Sequence, residues 1–96
     1  MQFLTLSKRR TDAFPPEAFT PELLEAEAQR VRELYAEGKL RSIWRRQDAP
    51  GAAILFEADS EQEVRAHLAS LPLAQRNMLE IDLVTQLLPY PGLGPR

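Results

Sequence analysis

The sequence has no cysteine, a single histidine and only four glycines in its 96 residues. The first absence excludes disulfides, thiolate nucleophiles and cysteine-ligated zinc or iron–sulfur sites. One histidine rules out a multi-histidine metal site within one chain, and no carboxylate spacing around it suggests a metal. No metal is expected. The glycines, Gly38, Gly51, Gly92 and Gly94, stand apart from one another, so no glycine-rich phosphate loop exists. Ser7, Ser42, Ser60 and Ser70 fall in no nucleophile elbow. Positive charge is not in excess: 12 Lys and Arg stand against 14 Asp and Glu, a net charge of −2. That balance argues against nucleic acid as a partner, and Lys8-Arg9-Arg10, without interleaved aromatics, reads as a solvated loop. No apolar stretch approaches the length of a membrane span. Met1 to Leu6 lacks the charged start and small-residue cleavage site of a signal peptide. The expectation is a cytoplasmic protein with no membrane partner.

What is present describes an ordinary globular chain, 44% hydrophobic and 27% charged, with length for one domain over residues 1–96. Within it, 1–87 form the core and 88–96 an irregular tail with three prolines and two glycines. A chain this short buries roughly two-thirds of its unfolded surface, so oligomer formation is expected.

Gln2 to Ser7 reads as a first strand, and Lys8 to Phe19, with Pro15-Pro16, as a loop. A helix then opens on Thr20 as N-cap, Pro21 in the first position and Glu22 at the positive end of the dipole. Phe19 and Leu24 are spaced as a hydrophobic staple. The helix runs to about Glu37, where Gly38 supplies a left-handed terminus. Leu40 to Arg46 and Ala52 to Glu57 form a hairpin, with Pro50-Gly51 as the central residues of a type II turn. Ser60-Glu61-Gln62-Glu63 is a capping box opening a second helix that stops near Leu71-Pro72. Met78 to Leu87 is the last strand, Ile81 and Leu83 alternating with Glu80 and Asp82. The order βαββαβ is the ferredoxin-like α+β arrangement: an antiparallel sheet with two helices on one face. The opposite face is left bare, and a second copy of the chain is its simplest cover.

On the first helix, Leu23, Leu24, Val31, Leu34 and Tyr35 form the inward stripe. Glu27, four residues after Leu23 and four before Val31, falls within it. A carboxylate facing a helix–sheet interface is desolvated, which raises its pKa toward the range useful for proton transfer. The alternative is a structural ion pair with Arg30 or another arginine. His67 adjoins the second helix's stripe of Val64, Leu68 and Leu71, either as an acid–base partner of Glu27 or as a hydrogen-bonded structural residue. Alternation places Trp44 and Arg46 on one sheet face and Arg45 on the other. Trp44 would be a pocket wall or core. Each arginine could bind a substrate carboxylate, or close a dimer against Glu80 or Asp82 of the partner chain.

Glu37-Gly38-x-Leu40-x-x-x-Trp44-Arg45, then Leu71-Pro72-Leu73 and Glu80-Ile81-Asp82-Leu83, with Glu27 ten residues before the Glu-Gly pair, resembles the muconolactone Δ-isomerase family. The resemblance runs from the first strand to the last. It implies a dimeric α+β barrel, two ferredoxin-like sheets packed face to face, with larger rings of dimers as further assembly. It also implies a cofactor-free isomerase of aromatic catabolism that shifts a double bond within an unsaturated lactone. Glu27 would be the base, and Arg45 would steady the oxyanion or the substrate carboxylate. From their own positions in the chain, not from the resemblance, His67 is expected to assist and Trp44 and Tyr35 to line the substrate pocket. The first strand carries Leu4 and Leu6 where the family commonly has a histidine and a basic residue. Ala49, Pro50, Ala52 and Ala53 replace polar residues around the hairpin, and Leu88-Pro89 replaces a His-Pro pair. These departures favour an alternative, a non-catalytic barrel that binds an apolar ligand. A further alternative is an accessory subunit whose tail residues Leu88, Tyr90 and Leu93 dock on a neighbouring chain.

Overall fold

The computed structural model describes residues 1–94, as four antiparallel strands in the order β2-β3-β1-β4 with helices packed on one face. The strands are β1 (Gln2–Arg9), β2 (Leu40–Arg45), β3 (Gly51–Glu57) and β4 (Leu79–Gln86). The helices are α1 (Pro21–Ala36), α2 (Glu61–Ala69) and a single turn, α3 (Pro72–Gln75). The ferredoxin-like α+β reading holds, with α3 and a 3-10 turn at Pro16–Ala18 as additions. Among the described residues no helix is long and apolar enough to cross a membrane.

The helix boundaries follow from local chemistry. The Thr20 hydroxyl accepts from Leu23 N–H at 3.2 Å, and Gly38 takes φ 77° just past the α1 terminus, as a left-handed cap requires. At α2 the Ser60 hydroxyl accepts from Glu63 N–H at 3.1 Å, while the Glu63 carboxylate reaches back to Asp59 N–H at 3.0 Å. The capping box therefore closes one residue earlier than its usual form.

Three sequence expectations are corrected along the sheet. First, β1 continues through Lys8 and Arg9, which pair with Glu80 and Leu79 of β4, so two residues of the expected basic loop are strand. Second, Gly51 is no turn centre: it lies in β3 opposite Lys8. The hairpin loop is residues 47–50, closed by Arg46 N–H donating to the Gly51 carbonyl at 3.0 Å. Third, β2 does not alternate simply. Leu40 pairs with Phe56 and Ser42 with Leu55, so Arg41 is an extra residue, a β-bulge. A bulge transposes every later side chain to the other face. Ile43 and Arg45 thereby join Ile54 and Ala52 on the helix side, and Trp44 joins Ala53 on the bare side. Trp44 is accordingly 55% exposed rather than core. A second bulge sets Asp82 apart in β4, since Ser7 pairs with Ile81 and Leu6 with Leu83.

The core lies between the helix-side face and the helices, built on Phe3, Ile54, Phe56, Leu34, Leu40, Val64 and Leu68. A second cluster of Leu23, Leu73 and Met78, with Phe14, Phe19 and Leu24 against it, seats the start of α1 on α3. On the opposite face Leu4, Leu6, Leu55 and Leu83 are only partly covered, with Trp44 beside them. Residues 88–94 form neither helix nor strand, and Leu88, Tyr90 and Leu93 are exposed. Pro95 and Arg96, the end of the expected irregular tail, lie outside the described residues.

Candidate active site

An open cleft of about 1050 Å³ separates α1 from the far end of β2 and the hairpin loop. Leu24, Glu27, Ala28 and Val31 of α1 form one wall, and Ile43 to Arg46 the other. Ser7 and Arg9 of β1, Ile54 of β3, and Leu71 and Leu73 at the start of α3 also line it. Toward its Leu34 end α1 packs on the sheet, while its N-terminal half packs against α3.

Glu27 reaches this cleft from the α1 stripe. Its Oε1 accepts from Leu73 N–H at 2.9 Å, one of the donors a helix start leaves without an intrahelical partner. No side chain of the α3 segment itself caps that turn, so the α1 glutamate does so from across the interface. Among the described residues Oε2 makes no hydrogen bond. Burial pushes the Glu27 carboxyl above the ordinary glutamate value, opposed by the Leu73 hydrogen bond and by the positive charge of Arg9. The result is a cleft-lining carboxylate with one oxygen fixed, the other without a hydrogen bond among the described residues, and a proton affinity above that of a solvated glutamate. The alternative ion pair with Arg30 does not form: Arg30 donates to Glu33 at 3.1 Å and to the Ser70 hydroxyl at 3.0 Å.

The other expected site residues divide. Arg45 lines the cleft from the helix side of β2, where the Arg41 bulge places it. Trp44 is among the lining residues, although its register partner Ala53 directs its side chain to the bare face. Tyr35 is 65% exposed and outside the lining. Leu34 occupies the inward position, and the next residue is rotated by about 100° around the helix. His67 is also outside the lining. Its ring stacks on Phe56, centroids 6.0 Å apart, and its buried Nε2 lies 3.5 Å from the Glu63 carboxylate without a hydrogen bond. The structure thus brings Glu27, Arg45 and Trp44 to one cleft and leaves Tyr35 and His67 elsewhere.

Arg46 does not await a partner chain. It bonds Asp82 at 2.6 Å, Asp48 at 2.8 Å and the Ser7 carbonyl at 3.3 Å, all within the same chain. The Asp48 carboxyl is held below its ordinary range by this hydrogen bond. Asp82, set apart by its bulge, is what lets Arg46 tie the hairpin loop to β4 across the sheet.

Sequence reading missed Ser7 and Arg9 as lining residues. The signal was there in the alternation Phe3-Thr5-Ser7-Arg9, which continues the inward face two residues past the expected strand end. Leu4 and Leu6 belong to the opposite alternation, so their apolar character strips nothing from the Glu27 cleft. Pro50 and Ala52, by contrast, do line it and make that wall apolar. Among the described residues no group of three or more histidines or acidic residues could hold a metal ion.

The profile of the family described as "Muconolactone delta-isomerase" matches residues 1–92. No functionally curated protein matches the chain. Among solved structures, a muconolactone isomerase is 23% identical, covering 100% of this chain and 98% of that one at a TM-score of 0.74. A 5-chloro-2-hydroxyhydroquinone dehydrochlorinase from Burkholderia phenoliruptrix AC1100, in complex with 2,5-dihydroxybenzoquinone, is 19% identical. It covers 91% of this chain and 93% of its own at a TM-score of 0.69. At these identities the two structures speak for the fold alone.

Proposed function

The chain belongs to the muconolactone delta-isomerase family, and on that premise we propose a cofactor-free isomerase that moves a double bond in an unsaturated lactone or similar enolisable compound. The observation that carries this reading is Glu27, a cleft-lining residue pinned through one oxygen by Leu73 and, among the described residues, with no hydrogen bond to the other.

The chemistry needs one base near a carbon acid and one cationic donor near the oxygen where charge collects. Glu27 Oε2 removes a proton from the γ carbon, the saturated carbon beyond the double bond conjugated to the carbonyl, and the electron pair moves into a dienolate. Arg45 steadies the oxyanion. The Glu27 carboxylic acid then returns the proton to a different carbon of the conjugated system, the double bond settles in its new place, and no atom is gained or lost. Burial serves both half-steps, because a carboxyl with a raised pKa is a better base and stays protonated long enough to return its proton. Trp44 is among the residues lining the ligand cleft. His67 and Tyr35, outside the cleft, take no part in this scheme.

The bare sheet face completes the proposal. Leu4, Leu6 and Leu55, half-covered in one chain, and the exposed Leu83 form the apolar surface that a second copy would bury to make a dimeric α+β barrel.

The test is an ultraviolet assay of purified protein with muconolactone. Wild type turns over, and Glu27→Gln, which keeps the shape but cannot take the proton, loses activity by about a hundredfold or more with its fold and mass unchanged. Undiminished turnover in that variant removes Glu27 from the mechanism. Flat absorbance with folded wild type favours the ligand-binding alternative, for which the apolar Pro50–Ala52 wall is the supporting feature.

A further inference from the structure

We propose that Arg9 is the anion anchor of the cleft, a specificity-determining residue that selects ligands bearing an ionised acidic group. This deepens the preceding reading and rests on it for the location of the ligand.

Arg9 ends the inward alternation of β1 and lines the same cleft as Glu27. Its backbone is fixed on both sides, paired with Leu79 in β4 and donating N–H to the Pro50 carbonyl at 2.7 Å. Its guanidinium carbon sits 5.5 Å from the centre of the Phe19 ring. This cation–π contact satisfies no conventional acceptor and leaves the guanidinium N–H donors to find a partner elsewhere. The chain supplies none: among the described residues Arg9 makes no ion pair and no side-chain hydrogen bond. Other arginines are committed, Arg32 to Glu25 and Arg46 to Asp48 and Asp82. In the cleft, therefore, two uncommitted cations, Arg9 and Arg45, face the single carboxylate of Glu27. Apolar residues such as Val31, Leu71 and Leu73 share the lining, and thin the water that would otherwise screen those charges. A neutral ligand leaves the Arg9 fork unpaired, whereas a carboxylate or acidic enolate meets it through two parallel hydrogen bonds. Pairing has a second consequence. Arg9 holds the Glu27 pKa down, so an anion that neutralises Arg9 strengthens the base once the ligand is in place.

Binding calorimetry on muconolactone and on its neutral methyl ester, with wild type, Arg9→Gln and Arg9→Lys, tests this. Wild type should favour the acid, and Arg9→Gln should weaken the acid about tenfold while changing the ester by less than about twofold. Arg9→Lys, which keeps the charge and loses the fork, should fall between. Equal weakening of acid and ester, or no weakening of the acid, overturns the proposal. If circular dichroism shows that Arg9→Gln does not fold, the acid-to-ester ratio in Arg9→Lys decides in the same way. 2,5-Dihydroxybenzoquinone, a vinylogous acid ionised at neutral pH, serves as a second anion. Arg9-dependent binding of the quinone without binding of the lactone keeps the anion anchor and removes the lactone reading. Turnover of the lactone with no dependence on Arg9 does the reverse, and failure of both anions to bind wild type overturns both.

Discussion

Replacing Glu27 by alanine and by glutamine separates what its carboxyl does for the fold from what its charge costs. Glu27 Oε1 accepts from the Leu73 amide at 2.9 Å, and Leu73 is only 2% exposed. Alanine removes the acceptor and strands that N–H, a loss of about 1–3 kcal/mol for a buried donor. The open cleft lets water reach the vacated position, which places the effect near the lower end, about 1 kcal/mol, or roughly 4–8 °C in Tm for a domain of this size. Glutamine keeps an oxygen for Leu73 and turns its amide toward the cleft, so the bond survives while the charge disappears. Because the folded-state pKa is raised, the native chain holds the Glu27 proton more tightly than the unfolded chain does. That contribution is complete below the ordinary value of 4.5 and is lost as pH rises through the folded pKa. At neutral pH Glu27→Gln should therefore melt at or above the wild-type temperature, with the gap closing as pH falls toward 4.5. Thermal melts by circular dichroism at matched concentration, from acid to neutral pH, read all three proteins. Alanine and glutamine variants of equal stability would refute the hydrogen-bond argument. A glutamine variant less stable than wild type at neutral pH would refute the desolvation argument.

Gly51→Ala tests the sheet: a Cβ there would sit 1.9 Å from the Ser7 carbonyl oxygen and 2.7 Å from Lys8 Cα. Both are backbone atoms, so β1 and β3 must part, and a loss above about 4 kcal/mol is expected; a cooperative melt close to wild type would contradict the register. Leu6→Asp tests the bare face, since Leu6 lies between Ala53 and Leu83. Light scattering should give wild type about twice the chain mass of 10.9 kDa and the variant a folded monomer. Wild type running as a monomer, or a variant that still pairs, would remove this face as the dimer interface.

Much of the architecture was legible because its signals are local. Thr20 and Pro21 open α1 and Gly38 closes it, Ser60 and Glu63 open α2, and Glu27 stands in the i, i+4 stripe between Leu23 and Val31. What escaped depends on partners distant in sequence. Whether Arg41 bulges is decided by β3, and the bulge alone determines that Arg45 rather than Trp44 turns to the helix side. Whether β1 extends to Arg9 is decided by Gly51 and Leu79, and only that extension brings Arg9 into the cleft. The α3 turn is too short for periodicity to reveal, yet it supplies the amide that orients Glu27. Tyr35 and His67 mark the limit of reading faces from spacing. One lies a single step beyond the buried Leu34, and the other faces the core against Phe56 instead of the cleft.

The proton transfer proposed for Glu27 requires α1 to hold its carboxyl partly out of water at the cleft wall. A carbon-13 NMR titration of the Glu27 carboxyl in the unliganded protein measures that directly. A midpoint clearly above 4.5 is the expected result. A midpoint at or below that value would mean a solvated or fully ion-paired glutamate, and the proton-transfer reading would have no base.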